Sequence, residues 1–263
     1  MPLSNKTKVF IFFGILLLAF LYLNVKDPYT VNPESVLVKP SMDHFFGTDY
    51  LGRDLYSRIM IGSFYSIGLA ILCLVCVCCL SLLLGGLAGM ELGLVSKTIL
   101  TFADILYCLP SILLALVFVG LFANSVWTVI LSFVLSWSGK YIRYIRGLVI
   151  DIRRQEYIQL AYQRGCSKMQ TLLRHILPNL MIALTSLFIT DVGRIVLSIS
   201  GLSFLGIGVQ PPQAELGTIL YDAKQYFMGS PWLLLPPGLA ITIILMASQG
   251  LGGLFQKRWE KVL

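Results

Sequence analysis

Apolar residues in this chain fall in long runs, and the runs lay out its elements. Residues 9–25 are almost wholly apolar and follow a polar tip with Lys6 and Lys8. No small-x-small site follows in Leu21-Tyr22-Leu23-Asn24, so the pattern predicts an uncleaved first span rather than a secretory signal. Residues 26–58 turn polar and carry Pro28, Pro33 and Pro40, which predicts a segment outside the bilayer. Residues 59–90 form a second run, long enough for a tilted span preceded by an interfacial turn. A loop with Glu91 and Lys97 leads to a third span over 104–122, with Asp104 placed to cap its start, where the helix dipole favours a carboxylate. Asn124-Ser125 is the turn before a fourth over 126–142. Residues 180–205 make a fifth span, 206–231 a loop rich in Gly and Pro, and 232–254 a sixth before the tail 255–263. Runs of roughly 20 residues suit a bilayer core, so the predicted fold is all-α integral membrane with six transmembrane helices.

One stretch breaks the pattern. Residues 155–179, QEYIQLAYQRGCSKMQTLLRHILPN, form a long polar interval that reads as two short helices broken at Gly165. Tyr157, Ile158, Leu160 and Ala161 recur at helical spacing, and Gly165 supplies the residue that tolerates a left-handed conformation just past a helix end. Ser167 with Gln170 has the form of a capping box, Met169, Leu172, Leu173 and Ile176 follow at i, i+3, i+4 and i+7, and Pro178 marks a new start.

Composition agrees with a membrane protein: 57% of residues are hydrophobic and 13% charged, with a mean hydropathy of +0.81. The net charge of +7 would suggest nucleic acid in a soluble chain, so its placement decides. Six spans put 14 Lys and Arg, counting Lys140 near the end of the fourth, on the side holding both termini and 155–179, 5 on the other, with Arg194 inside a span. That bias places both termini and the polar interval in the cytoplasm and accounts for the charge without nucleic acid. The cluster Arg143, Arg146, Arg153 and Arg154 reads as anchors to lipid phosphates. Five of the six cysteines lie within apolar runs and read as small core residues, with no disulfide framework expected. Cys73, Cys76, Cys78 and Cys79 do not converge as a metal-ligand set on one helix.

No hydrolytic or redox constellation appears, and no Gly-rich phosphate loop adjoins a lysine. The chain therefore has no catalytic, metal or cofactor residues of its own in this reading, and uphill transport would need an ion gradient or a partner. A cytoplasmic amphipathic helix pair is a suitable dock for such a partner. Asp191 and Arg194, three apart in the fifth span, share a helix face. Ionisable groups at membrane depth usually face a cavity or a partner, so Asp191, Arg194 and Ser198 are candidates to line a solute path; the alternative is a structural pair. His44 and Asp49 either meet arriving solute or belong to a turn of the external segment.

Several motifs together carry a resemblance. Glu156-Tyr157 through Ala161, Gly165 and His175-Ile-Leu-Pro-Asn179 resemble the cytoplasmic signature of ABC-importer permeases. Phe46-Gly-Thr-Asp-Tyr-Leu-Gly-Arg-Asp54 with Ser57-Arg58, Asp104 with Pro110, Trp137 with Arg143 and Arg146, and Gly201-Leu-Ser-Phe-Leu-Gly-Ile-Gly-Val-Gln-Pro-Pro212 are similar to the second permease of dipeptide, oligopeptide and nickel importers. The resemblance implies a type I importer permease in a prokaryotic inner membrane, with its core over 59–254 and a coupling region over 144–178. It also implies a homologous permease, two ATPase subunits that bind ATP and Mg in place of this chain, and an external binding protein. Glu156, Tyr157, Gln159, Leu160, Ala161 and Gly165 then form the coupling helix. The sequence departs from the pattern at Gln159-Leu160-Ala161, where Glu-Ala-Ala is usual. Ile199-Ser200 and the Asp191-x-Gly193 placement resemble nickel-type members more than peptide-type ones, so the solute leans to nickel or a metal chelate, with peptides as the alternative. An ion-driven secondary transporter and a membrane enzyme are weaker competitors.

Overall fold

A computed structural model describes residues 25–91 and 93–260, so the first expected span lies outside the described residues apart from Val25. The described residues are almost wholly helical and contain no strand.

Helix α1, Leu55–Met90, is a single helix of 36 residues. It begins where the Asp54 carboxylate accepts the Ser57 N–H at 2.8 Å, the capping bond that satisfies an orphan donor of a first turn. At ~1.5 Å per residue it is about 54 Å long, well beyond the ~30 Å hydrocarbon layer. The interfacial turn expected before the second span is therefore replaced by an unbroken rod.

The third expected span is two helices, α2 (Leu94–Cys108) and α3 (Ser111–Phe122), bent by 90°. Leu109 is extended, with φ −84° and ψ 123°, because the ring of Pro110 bars the residue before it from helical geometry. Helix α2 starts at Leu94, so Asp104 lies in its third turn and caps nothing; it pairs instead with Arg143.

Helix α4, Val126–Arg153, is capped by Ser125 and runs about three turns past the predicted end at 142. Arginines can extend it because three of them bond to neighbouring elements, as described below. The short α5 (Glu156–Gln163) follows, then α6 (Lys168–Thr171), a π turn over Leu172–Ile176, and α7 (Leu177–Phe204) without interruption. The break expected at Pro178 is absent. The wider i→i+5 turn just ahead of it redirects the hydrogen bonds where the proline offers no N–H.

The loop 206–231 contains α8, Leu216–Ala223, capped by the buried Glu215, whose carboxylate accepts the Thr218 N–H at 3.0 Å. Helix α9, Leu235–Glu260, ends the described chain. Helix α1 packs chiefly on α4, and α7 on α9. Three helical stretches, Leu55–Met90, Lys168–Phe204 and Pro231–Lys257, are long and apolar enough to cross a membrane, and the bent α2–α3 pair is a fourth if counted as one span. The main core lies between α1, α4 and α7, with Cys73 buried in it and Cys76 and Cys78 packed against it. All six cysteines carry free thiols.

Candidate functional site

The polar interval folds as its sequence suggests up to Gly165. That glycine has φ +87°. The Cys166 N–H donates to the Ala161 carbonyl at 3.1 Å and the Gly165 N–H to Tyr162 at 2.9 Å, the pair of bonds that closes a helix through a left-handed residue. Ser167 and Gln170 form the capping box from both sides.

The apolar positions divide in a way that spacing alone does not show. Ile158 and Ala161 are buried, Ile158 in one cluster with Val149, Ile176 and Leu180, while Tyr157 and Leu160 are exposed along the adjoining side of α5. Beyond the glycine, the π turn rotates the next set: Ile176 is buried, whereas Met169 and Leu173 are exposed. Exposed apolar groups thus collect on the outer side of a short helix whose inner side is anchored in the core.

Two side chains tie α5 in place. The Gln159 amide Nε2 donates to the Arg153 carbonyl at 2.9 Å, covering the end of α4. A glutamate there has no proton to donate at neutral pH, so the departure from the usual signature carries a bond of its own. Asn179 donates to the Tyr157 hydroxyl at 2.9 Å, joining α5 to the start of α7. Glu156 occupies the first turn of α5, where the dipole favours its charge.

The arginines read as lipid anchors mostly hold protein. Arg143 pairs with Asp104, Arg146 Nε donates to Ser96 Oγ at 3.1 Å, and Arg153 donates to the carbonyls of Gly89 and Met90 at 2.7 and 3.0 Å. Arg153 thereby caps the last turn of α1, where a cation is favourable.

Deeper in the fold, Asp191 is fully buried on α7 and its carboxylate is shared. Arg194 Nη1 holds Oδ1 at 2.9 Å; Lys140 Nζ and the Tyr141 hydroxyl of α4 hold Oδ2 at 2.7 and 3.0 Å. The sequence pairs Asp191 with Arg194 but misses Lys140 and Tyr141, about fifty positions away. The available signal was Trp137, Lys140 and Tyr144 at i, i+3 and i+7 of α4, a stripe interrupting an apolar span. Ser198 stays apart from the cluster, donating to its own helix at Arg194 O, 2.8 Å. Lys140 also lies over the Trp137 ring at 5.3 Å and reaches an open cleft of about 430 Å³ at the α2–α3 bend, beside Tyr107 and Pro110.

His44 and Asp49 serve the turn that leads into α1. His44 Nδ1 lies 2.8 Å from Asp54 Oδ1, and Asp49 accepts the N–H groups of Leu51 and Arg53.

Residues 81–261 fit the model of the binding-protein-dependent transport system inner membrane component. The chain belongs to that family. It is 35% identical over 221 residues to the nickel transport system permease protein NikC of Escherichia coli K12, covering 84% of this chain and 80% of the relative. It is 30% identical over 243 residues to the probable D,D-dipeptide transport system permease protein DdpC of the same strain, covering 92% and 82%. Against the glutathione transport system permease protein GsiD of E. coli O6:K15:H31 it is 34% identical over 213 residues, covering 81% and 70%. The permease is thus a multi-pass membrane subunit of an ABC importer.

Proposed function

We propose that this permease forms half of the translocation path of an ATP-driven importer and that α5 docks in a groove on an ATPase subunit. The observation that carries this is the two-sided build of α5: Ile158 fixed in the core, Tyr157 and Leu160 turned outward. A groove that accepts these apolar groups gains from their burial, and a push on the helix reaches the bundle through Ile158 and the Gln159–Arg153 bond. In this reading six spans place both termini in the cytoplasm, a homologous permease supplies the other half of the path, and an external binding protein delivers solute. ATP and Mg belong to the ATPase, and Arg194 and Ser198 line the path with Asp191 buried behind them. The favoured solute is nickel or a metal chelate, in line with the higher identity to NikC; the likeness to DdpC supports a peptide as the second reading.

Reconstitution of the complete transporter tests this. Leu160→Asp, which places a charge on the outward face of α5 but leaves Ile158 alone, is expected to lower ATP-dependent nickel uptake at least about tenfold, the cost of desolvating a charge in an apolar groove, while the subunit still inserts. Uptake that follows a proton or sodium gradient without ATP would overturn the reading.

A further inference from the structure

Asp191 does more than pair with one arginine. Both of its oxygens are held, by Arg194, Lys140 and Tyr141, and its side chain is 0% exposed, so the carboxylate has little left to offer a solute. The two cations that hold it are only part-committed: the Lys140 side chain is 32% exposed and that of Arg194 47%, against 0% for Asp191. Two positive charges and one negative leave the cluster with an excess of one positive charge. Both nitrogens bond the same carboxyl, so they lie no more than two hydrogen bonds and one carboxyl width apart. Arg194 is about 15 Å from the end of α7, at ~1.5 Å per residue, well inside a helical stretch long and apolar enough to cross a membrane, where an ionisable group usually faces a cavity or a partner.

We propose that Lys140 and Arg194, positioned by Asp191 and Tyr141, receive a carboxylate on the passing solute, with the solute body against Trp137 and the α2–α3 bend. This deepens the importer reading and rests on it. A guanidinium with unused N–H groups and an ammonium beside it suit a carboxylate, which takes charged hydrogen bonds from both. The same site disfavours a bare metal cation. A hydrated divalent ion would approach net positive charge, and among the described residues no three His, Cys, Asp or Glu side chains gather as ligands. Nickel would therefore pass as a carboxylate chelate, and a peptide by its C-terminal carboxylate. Asp191 acts as a positioning residue here: it fixes two flexible cations and lowers the repulsion between them.

The test uses the complete transporter with its own binding protein in proteoliposomes. One arm measures uptake of nickel with excess L-histidine against nickel alone; the other measures glycylglycine against glycylglycine amide. Each is run on the native chain, Arg194→Lys, Arg194→Gln and Lys140→Gln. Because the binding protein is unchanged, a difference between variants belongs to the permease. Arg194→Lys is expected to keep uptake within a few-fold. Arg194→Gln and Lys140→Gln are each expected to lose about tenfold for the carboxylate-bearing solute, the scale of one charge-assisted bond, in whichever arm is active. The active arm tells chelate from peptide. Arg194→Gln transporting as well as Arg194→Lys overturns the inference alone. So does loss with both while the assembled complex still hydrolyses ATP, since retained charge should rescue. A native chain that moves none of the four solutes with ATP overturns the importer reading and this inference with it.

Discussion

The two ends of the bundle solve opposite problems with similar residues. At the end where α1 begins, Arg53 and Arg58 are buried against Asp49 and Asp222, with every side chain in the network at 10% exposure or less. Burial pushes the Asp222 carboxyl up from its ordinary range, and Arg58 and Arg53 pull it back. Gly52 turns there with φ +74°, and a Cβ on it would overlap the Asn32 carbonyl. At the opposite end Gly165 turns with φ +87°, yet a Cβ on it meets nothing within 4 Å, and Tyr157, Leu160, Met169 and Leu173 nearby in sequence are exposed. One end is closed against itself, and the other is open, as the proposed docking to an ATPase requires. Positive φ alone does not tell a sealed turn from a docking turn; the space around it does.

The strongest way to break this contrast is Arg58→Ala. It leaves Asp49 and Asp222 buried with a cation removed, and the loss should be about 3–5 kcal/mol, seen as a sharp drop in thermal stability of the detergent-purified subunit. Matching valines at the two glycines sharpen it. Gly52→Val should compromise folding, through both backbone strain and overlap. Gly165→Val should cost only about 1–2 kcal/mol of local strain yet uncouple ATP hydrolysis from transport, because the helix end rather than the core is altered. Equal stability losses at the two sites would erase the distinction. The smallest effect falls on Gln159: its replacement by Glu removes one hydrogen bond to Arg153 O, about 1 kcal/mol, and should show as a modest fall in transport per ATP with little change in melting.

What the sequence made legible was local. Gly165 and the Ser167 box are set by neighbours within a turn or two, and both appear where their pattern puts them. The misreadings came from distant partners. Asp104 looks like a cap until Arg143, on another helix, claims it, and the arginines look like lipid anchors until Gly89, Met90 and Ser96 fold up to them. Lys140 escaped notice because it was counted with the cytoplasmic charges, and only packing brings α4 beside Asp191. The two prolines show the same limit: Pro110 breaks a helix and Pro178 does not, and the π turn that decides the second case leaves no mark in hydropathy.

The length of α1 has a further consequence. Its last turn is gripped by Arg153 through the carbonyls of Gly89 and Met90, and its first turn carries Arg58 into the sealed network. A rod of about 54 Å fixed at both tips works as a lever: a tilt of a few degrees given to one tip becomes a displacement of ångströms at the other, in step with it. News of events on one side of the membrane then needs no relay of small rearrangements to be felt on the far side.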